Sequence, residues 1–374
     1  MPHQNPLDND LKIPCHSPSL KSDKPSLRPM GHGYFSHRSG GQMSDLIPGT
    51  NEWLNQVVEP TLEVDLPIVD PHHHLWPAGG ALPYGIDELH ADANSGHNIV
   101  QTVFMECGAS YDHTASADLA PVGETKFVAE VSKNDPRHLI AGIVGHIDLR
   151  LAHRDELLDA HIEAGNGLFR GIRDALSRAD FPEGLLIPGH APKDLYKDAD
   201  FVAGVRRLGE RGLTYDSWHY HYQNREFLAL ARNCPDTTMV LDHFGTPLLA
   251  HHFAGQEDAI FEQWKQDITA IAALPNTVAK VGGIAMPDNG IGWHEAQRPP
   301  TSDEYVARLS KFYTHIIEAF GPERCMLESN FPIDRFSVSY NVMWNAFKKM
   351  TAQYSPSERT ALFSGTAQRV YKLA

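Results

Sequence analysis

With 374 residues, 41% of them hydrophobic, the chain is long enough for one large α/β barrel or two smaller domains. A formal charge of -15 argues against nucleic acid or an anionic membrane surface as the main partner. The four cysteines, Cys15, Cys107, Cys234 and Cys325, are far apart without a C-x-x-C pair, which speaks against a disulfide framework and for a reducing, cytoplasmic setting. No run approaches the roughly 18 apolar residues of a membrane helix, and no apolar signal-peptide segment is seen.

Residues 1–50 are rich in Ser, Pro, Gly and Lys and lack any apolar period, so a disordered N-terminal extension is expected ahead of a domain over residues 51–374. From residue 66 onward, short β-branched runs alternate with amphipathic segments. The strand candidates are LPIVDPHHH (66–74), NIVQTVFMECG (98–108), LIAGIVGHIDL (139–149), GLFRGIRDAL (167–176), GLTYDSWHYHY (212–222), TTMVLDHFG (237–245), NTVAKVGGIA (276–285) and RCMLESNFP (324–332). Helical patterns such as ETKFVAEVSKN (124–134), RDELLDAHIEAG (154–165) and SDEYVARLSKFYTHIIEAF (302–320) lie between them. Eight strands, each with room for a helix after it, match a (β/α)₈ TIM barrel. A doubly wound sheet would want a Gly-rich phosphate turn after its first strand, and none is there.

Active sites of such barrels collect at the C-terminal strand ends, and polar residues gather there strand after strand. The first strand ends in His72 and His74, which share a face by the period-2 rule, with Asp70 in the same parity and His73 in the other. Two imidazoles two residues apart suit one small metal ion. Glu106, His146 and Asp148 end the next two strands, and Arg170 and Arg173 lie on the fourth. His219 and His221 form a second H-x-H on the fifth; Asp242, His243 and Lys280 follow. Glu328 and Asn330 share a face of the eighth, with Asp334 a turn beyond. The guanidinium fork of Arg173 or Arg170 suits a substrate carboxylate, or a structural salt bridge. Lys280 is read as a ligand for a substrate oxygen or a neutralising partner for a carboxylate. The loop MPDNGIGWHEAQRPP (286–300), which carries Trp293 and His294, has the length and Gly/Pro content of a lid.

IVDPHHHLW, VLDHFG, AKVGG and RCMLESNFP together resemble the amidohydrolase-related family, a group of TIM barrels that includes lactonases and decarboxylases. The resemblance spans residues 66–374 and implies site histidines at His72, His74, His243 and, on the fifth strand, His221 with His219 as competitor. It also exposes a departure. Many members carry G-S-D-W-P at the eighth strand, with the aspartate as general base; here the stretch is E-S-N-F-P, so Asn330 stands in that place. An amide takes up no proton at neutral pH and is a weak ligand. Glu328, two residues earlier, is then the expected displaced base, with Asp334 as an alternative and a purely structural carboxylate as the competing reading. The fourth strand offers arginines but no lysine or glutamate to bridge two ions, so the cofactor expectation is none or a single divalent metal, zinc first, on His72, His74 and His243.

The resemblance implies a hydrolase of lactonase type, opening a cyclic ester of a small, carboxylated molecule. A non-oxidative decarboxylase of an aromatic or muconate-like acid and a catalytically inactive binding barrel are the alternatives. A small-molecule substrate is the expected partner, and self-association into a homo-oligomer is left open.

Overall fold

The computed structural model describes residues 46–77 and 83–374, so the expected disordered extension falls almost wholly outside the described residues. Eight parallel strands run in sequence order: β1 (Pro67–His73), β2 (Asn98–Met105), β3 (Ile140–Gly145), β4 (Phe169–Arg173), β5 (Thr214–Ser217), β6 (Met239–Leu241), β7 (Thr277–Val281) and β8 (Cys325–Leu327). A short helix α1 (Asn51–Leu54) precedes them. Helices α2 (Ile86–Ala93), α3 (Val122–Asn134), α4 (Arg154–Ala164), α5 (Ala199–Glu210), α6 (Asn224–Asn233), α7 (Glu257–Ala272) and α8 (Ser302–Phe320) fill the seven crossovers. After β8 come α9 (Tyr340–Met350), α10 (Pro356–Thr360) and α11 (Thr366–Val370). The chain is a (β/α)₈ TIM barrel, as the strand spacing implied.

The local code is legible in α8. Thr301 and Glu304 form a capping box that satisfies the first free N–H groups. Tyr305, Leu309, Phe312, Ile316 and Phe320 then recur at helical spacing and are buried against the barrel. Gly321 at φ +79 ends the helix, in a conformation that favours glycine.

Two apolar layers result. The outer one lies between strands and helices. The inner one fills the barrel with Val69, Val103, Met105, Val144, Val240, Val278 and Met326, closed from below by Ala367 and Tyr371. Each such fully buried aliphatic side chain contributes about 1.5–3 kcal/mol. The lower interior is packed mainly with hydrocarbon, and the ionisable cluster lies above it, with the Tyr371 hydroxyl reaching Asp216 from below.

At that end β1 and β8 meet. His74 N–H donates to the Phe331 carbonyl at 2.8 Å, and Asn330 N–H donates to the His72 carbonyl at 3.0 Å. The register of β1 against β2 slips between Asp70 and His73. This irregularity breaks the simple alternation expected for the strand. Asp70 does not share a face with the histidines; its carboxylate accepts from Ser329 N–H at 2.9 Å and from the Tyr340 hydroxyl of α9 at 2.9 Å. His73 faces the wall, with Nε2 3.0 Å from the Thr102 hydroxyl.

Candidate active site

Four of the residues singled out from the sequence converge at the top of the barrel. Glu328, just past β8, stands between two imidazoles. Its Oε1 accepts from His243 Nδ1 at 2.8 Å, and its Oε2 lies 2.9 Å from His72 Nδ1. The His72 and His243 rings are tilted, with centroids 4.4 Å apart. His74 completes the group, its Nε2 3.3 Å from His72 Nε2 and its Nδ1 donating to the Met105 carbonyl at 2.8 Å.

Backbone geometry makes room for this. His243 adopts φ +52, and Phe244, Thr246 and Asn330 are also left-handed, a concentration of strained conformations that marks functional positions. The two glycines of AKVGG supply the space. A β-carbon on Gly282 would stand 2.1 Å from the Glu328 carbonyl oxygen, and one on Gly283, at φ +71, would stand 2.1 Å from His243 Nδ1.

Around this core lies a buried ionic network. Lys280 Nζ is 2.9 Å from Asp216 Oδ2, 3.2 Å from Asp242 Oδ1 and 3.3 Å from His72 Nδ1. Asp216 also accepts from Thr214 Oγ1 at 2.8 Å and from the Tyr371 hydroxyl. Arg173 donates from Nε to Glu106 at 2.8 Å and reaches Asp242 Oδ2 at 3.8 Å. Burial, reinforced by the Lys280 ammonium, holds the His72 imidazole well below the usual range. Burial and Arg173 do the same to His74. Both rings are therefore neutral and carry lone pairs. Burial pushes the Asp242 carboxyl up, but Lys280, with His243 and Arg173, outweighs it and holds the group below its ordinary value.

His72 Nδ1 stands between a donor, Lys280, and an acceptor, Glu328. With its proton on Nε2, the chain Lys280 to His72 to His74 to the Met105 carbonyl is continuous. With its proton on Nδ1, both Nε2 lone pairs face each other at 3.3 Å. That spacing is what two nitrogens keep when each binds one tetrahedral zinc at roughly 2.0 Å. Ligand atoms of His72, Asp242 and His243 also lie within 4.8 Å of one another. Neither Asp242 oxygen nor Glu328 Oε2 takes part in an aligned hydrogen bond, although cationic or imidazole nitrogens lie nearby. Neutral imidazoles and under-satisfied carboxylate oxygens form a donor set that fits one small divalent ion.

Asn330 sits beside this group but turns away from proton chemistry, its Nδ2 donating to Asp334 Oδ1 at 2.9 Å. Asp334 also accepts from Ala285 N–H at 3.1 Å. The turn after β8 brings Asp334 back onto Asn330, and burial raises the Asp334 carboxyl to about 7.

The remaining expectations fall elsewhere. His219 is locked into the wall between the Ser217 hydroxyl at 2.9 Å and Asn224 Oδ1 at 3.0 Å, with its ring on Phe227. His221 accepts from Leu248 N–H at 3.2 Å and packs on Phe253, among loop aromatics rather than with His72. Arg170 lies at the start of β4, at the opposite end of the barrel, where it donates to the carbonyls of Gly167, Phe169 and Ala141. Trp293 stacks on Tyr305 of α8, with centroids 5.1 Å apart. Its loop is tied down: Asp288 accepts from Leu186 and Ile187 N–H groups, and Asn289 Nδ2 donates to the Pro247 carbonyl. Two network members escaped the sequence reading. Asp216 shares parity with Thr214 on β5 and was accessible to the same alternation argument; Tyr371 has no local signal.

The sequence profile of the family described as Amidohydrolase matches residues 69–373. The uncharacterized protein y4mH of Sinorhizobium fredii is 32% identical over 330 residues, covering 83% of this chain and 99% of its own length. The L-fucono-1,5-lactonase of Burkholderia multivorans is 27% identical over 313 residues, covering 82% of this chain and 96% of its own. Among solved structures, an amidohydrolase from Burkholderia multivorans with bound zinc superposes with a TM-score of 0.64 at 26% identity, over 82% of this chain and 99% of that one. Among the described residues no helix is long and apolar enough to cross a membrane, and Cys107, Cys234 and Cys325 are free thiols.

Proposed function

This chain belongs to the amidohydrolase family, and from that premise we propose that it is a lactonase-type hydrolase that opens the cyclic ester of a small, carboxylated substrate. The observation that carries the reading is the single carboxylate of Glu328 spanning His243 and His72 at 2.8 and 2.9 Å. A carboxylate on Nδ1 fixes the His243 tautomer, leaves Nε2 to accept a proton, and stabilises the imidazolium that forms. This supplies the base that Asn330 cannot.

In the proposed reaction His243 takes a proton from water as its oxygen adds to the lactone carbonyl carbon. The ring C–O bond then breaks, and the leaving alkoxide recovers the proton from His243. A hydroxy acid is released. Arg173, whose Nε and Nη2 are committed to Glu106, would meet the substrate carboxylate with Nη1, 3.8 Å from Asp242. With His243 Nε2 kept free as the base, His72 and His74, with the Asp242 carboxylate 4.0 Å from His72, would hold a single divalent ion, zinc by the chemistry of the donors and by analogy with the zinc-bound Burkholderia relative. A bound ion there would polarise the carbonyl and lower the pKa of water.

The reading is tested by screening sugar and aromatic lactones for acid release in a pH-stat, with chelator-treated and zinc-loaded protein. Stoichiometric hydroxy acid is expected. Carbon dioxide released from a carboxylated aromatic acid, with no lactone opened, would move the protein to the lyases.

A further inference from the structure

Lys280 is fully buried, in the middle of the site, and the proposed hydrolysis gives it no step. Its nitrogen has three acceptor atoms within 3.3 Å: a carboxylate oxygen from β5 (Asp216), another from the end of β6 (Asp242), and an imidazole nitrogen from β1 (His72). Two carboxylates and an imidazole converging on one point are themselves a divalent-cation ligand set.

We propose that the Lys280 ammonium is a resident cation filling a second ion position of the barrel, so that the protein holds no more than one divalent ion and removal of the side chain opens a site for another. This inference rests on the ligand geometry and the local charge count and does not depend on the substrate class proposed above.

Charge supports it. Four carboxyl groups, Glu106, Asp216, Asp242 and Glu328, lie within 4 Å of Lys280, Arg173 or His72, and among the described residues their ion pairs run to two permanent cations, Lys280 and Arg173. One divalent ion on the histidines would balance the two remaining negative charges. A second would leave the buried cluster as positive as it had been negative, at a large solvation cost. The lysine also shares two of its partners, His72 and Asp242, with the histidine-side ion site. Two ions and the ammonium would have to divide the same ligands. Asp216 is kept aimed at Lys280 by Thr214 and by Tyr371, whose ring lies 5.5 Å from the nitrogen. Removal of the lysine stem would therefore leave a preformed, two-carboxylate cradle.

The test compares wild type, Lys280→Ala and Lys280→Met. Each is stripped with chelator, dialysed against zinc chloride, and analysed for zinc per chain by mass spectrometry. Wild type is expected to bind at most one zinc. Lys280→Ala is expected to bind one more than wild type, and Lys280→Met, whose thioether stem refills the space without a charge, no more than wild type. Two zinc ions on wild type overturn the proposal, as does a folded Lys280→Ala chain with the wild-type count. Should stripped Lys280→Ala be unfolded, zinc is titrated in while circular dichroism is followed. Refolding on zinc supports the proposal, and a chain that zinc does not refold overturns it. A protein that shows these counts yet opens no lactone loses only the functional reading above.

Discussion

Gly283 and His243 divide one small volume: the backbone of the glycine runs so close to the imidazole that a β-carbon there would lie 2.1 Å from Nδ1. The same nitrogen donates to Glu328, so the hydrogen bond central to the proposed chemistry exists because residue 283 has no side chain. Gly283→Ala is expected to push the ring off Glu328, lowering kcat/KM for lactone opening by about 100-fold or more. The positive φ adds strain, and stability should fall by roughly 2–4 kcal/mol. Steady-state kinetics and urea denaturation of the purified variant measure both.

Glu328→Gln keeps the shape of the side chain but removes the charge that supports an imidazolium. Turnover is expected to drop about 10²–10⁴-fold, with KM changed little. Glu328→Asp should remain as impaired, because a shorter stem cannot reach His243 and His72 together. A Glu328→Gln enzyme with wild-type kcat would remove Glu328 from the mechanism.

Asp334 sets a pH dependence of stability. Its carboxyl is raised to about 7 by burial, above its value in the unfolded chain. Between roughly pH 4 and 7 the folded state therefore keeps a proton that the unfolded state has released. Its contribution is fully present below the unfolded value and is lost as pH rises through about 7. A shift of this size is worth at most about 4 kcal/mol. Asp334→Asn has no charge to bury, so its denaturation free energies at pH 5 and pH 8 should differ by less than those of wild type in the direction of favouring pH 5. Equal pH dependence in the two proteins would assign the slope to other groups.

His219→Ala should separate structure from catalysis on the fifth strand. Removing the ring leaves Ser217 and Asn224 without their partners, at a cost of about 2–4 kcal/mol. No contact joins His219 to Glu328 or His72, so kcat and KM should stay within about threefold of wild type once the protein is folded. Thermal unfolding and kinetics on the same preparation check the two halves.

The barrel was legible because its signals are local. Alternation, capping residues and strand-to-strand spacing recur eight times, and each repetition supports the others. The pairing of His72 with His74 was equally local. Asp70 was misplaced by the same rule, since a register slip inside β1 resets the alternation between Asp70 and His73. Arg170 shows a related limit: the R-G-I-R motif alone does not separate its two arginines, and Arg170 lies at the lower end of the strand, where three backbone carbonyls claim it. His221 was drawn away by aromatic packing that only tertiary structure supplies. Tyr371 could not be found at all, because a hydroxyl reaching Asp216 across 155 residues leaves no periodic trace.

That reach has a consequence for biosynthesis. Lys280 meets His72 across 208 residues of chain, His243 meets Glu328 across 85, and Tyr371 caps the inner layer from beyond them all. On the ribosome, a partly emerged chain carries Asp216 and its partner Thr214 before Lys280 of β7 has been made, and its growing sheet keeps an open edge until β8 meets β1. The half-made barrel is thus a distinct clientele problem for chaperones: Asp216 waits for Lys280 on β7, and the unpaired edge disappears only when the last strand leaves the exit tunnel.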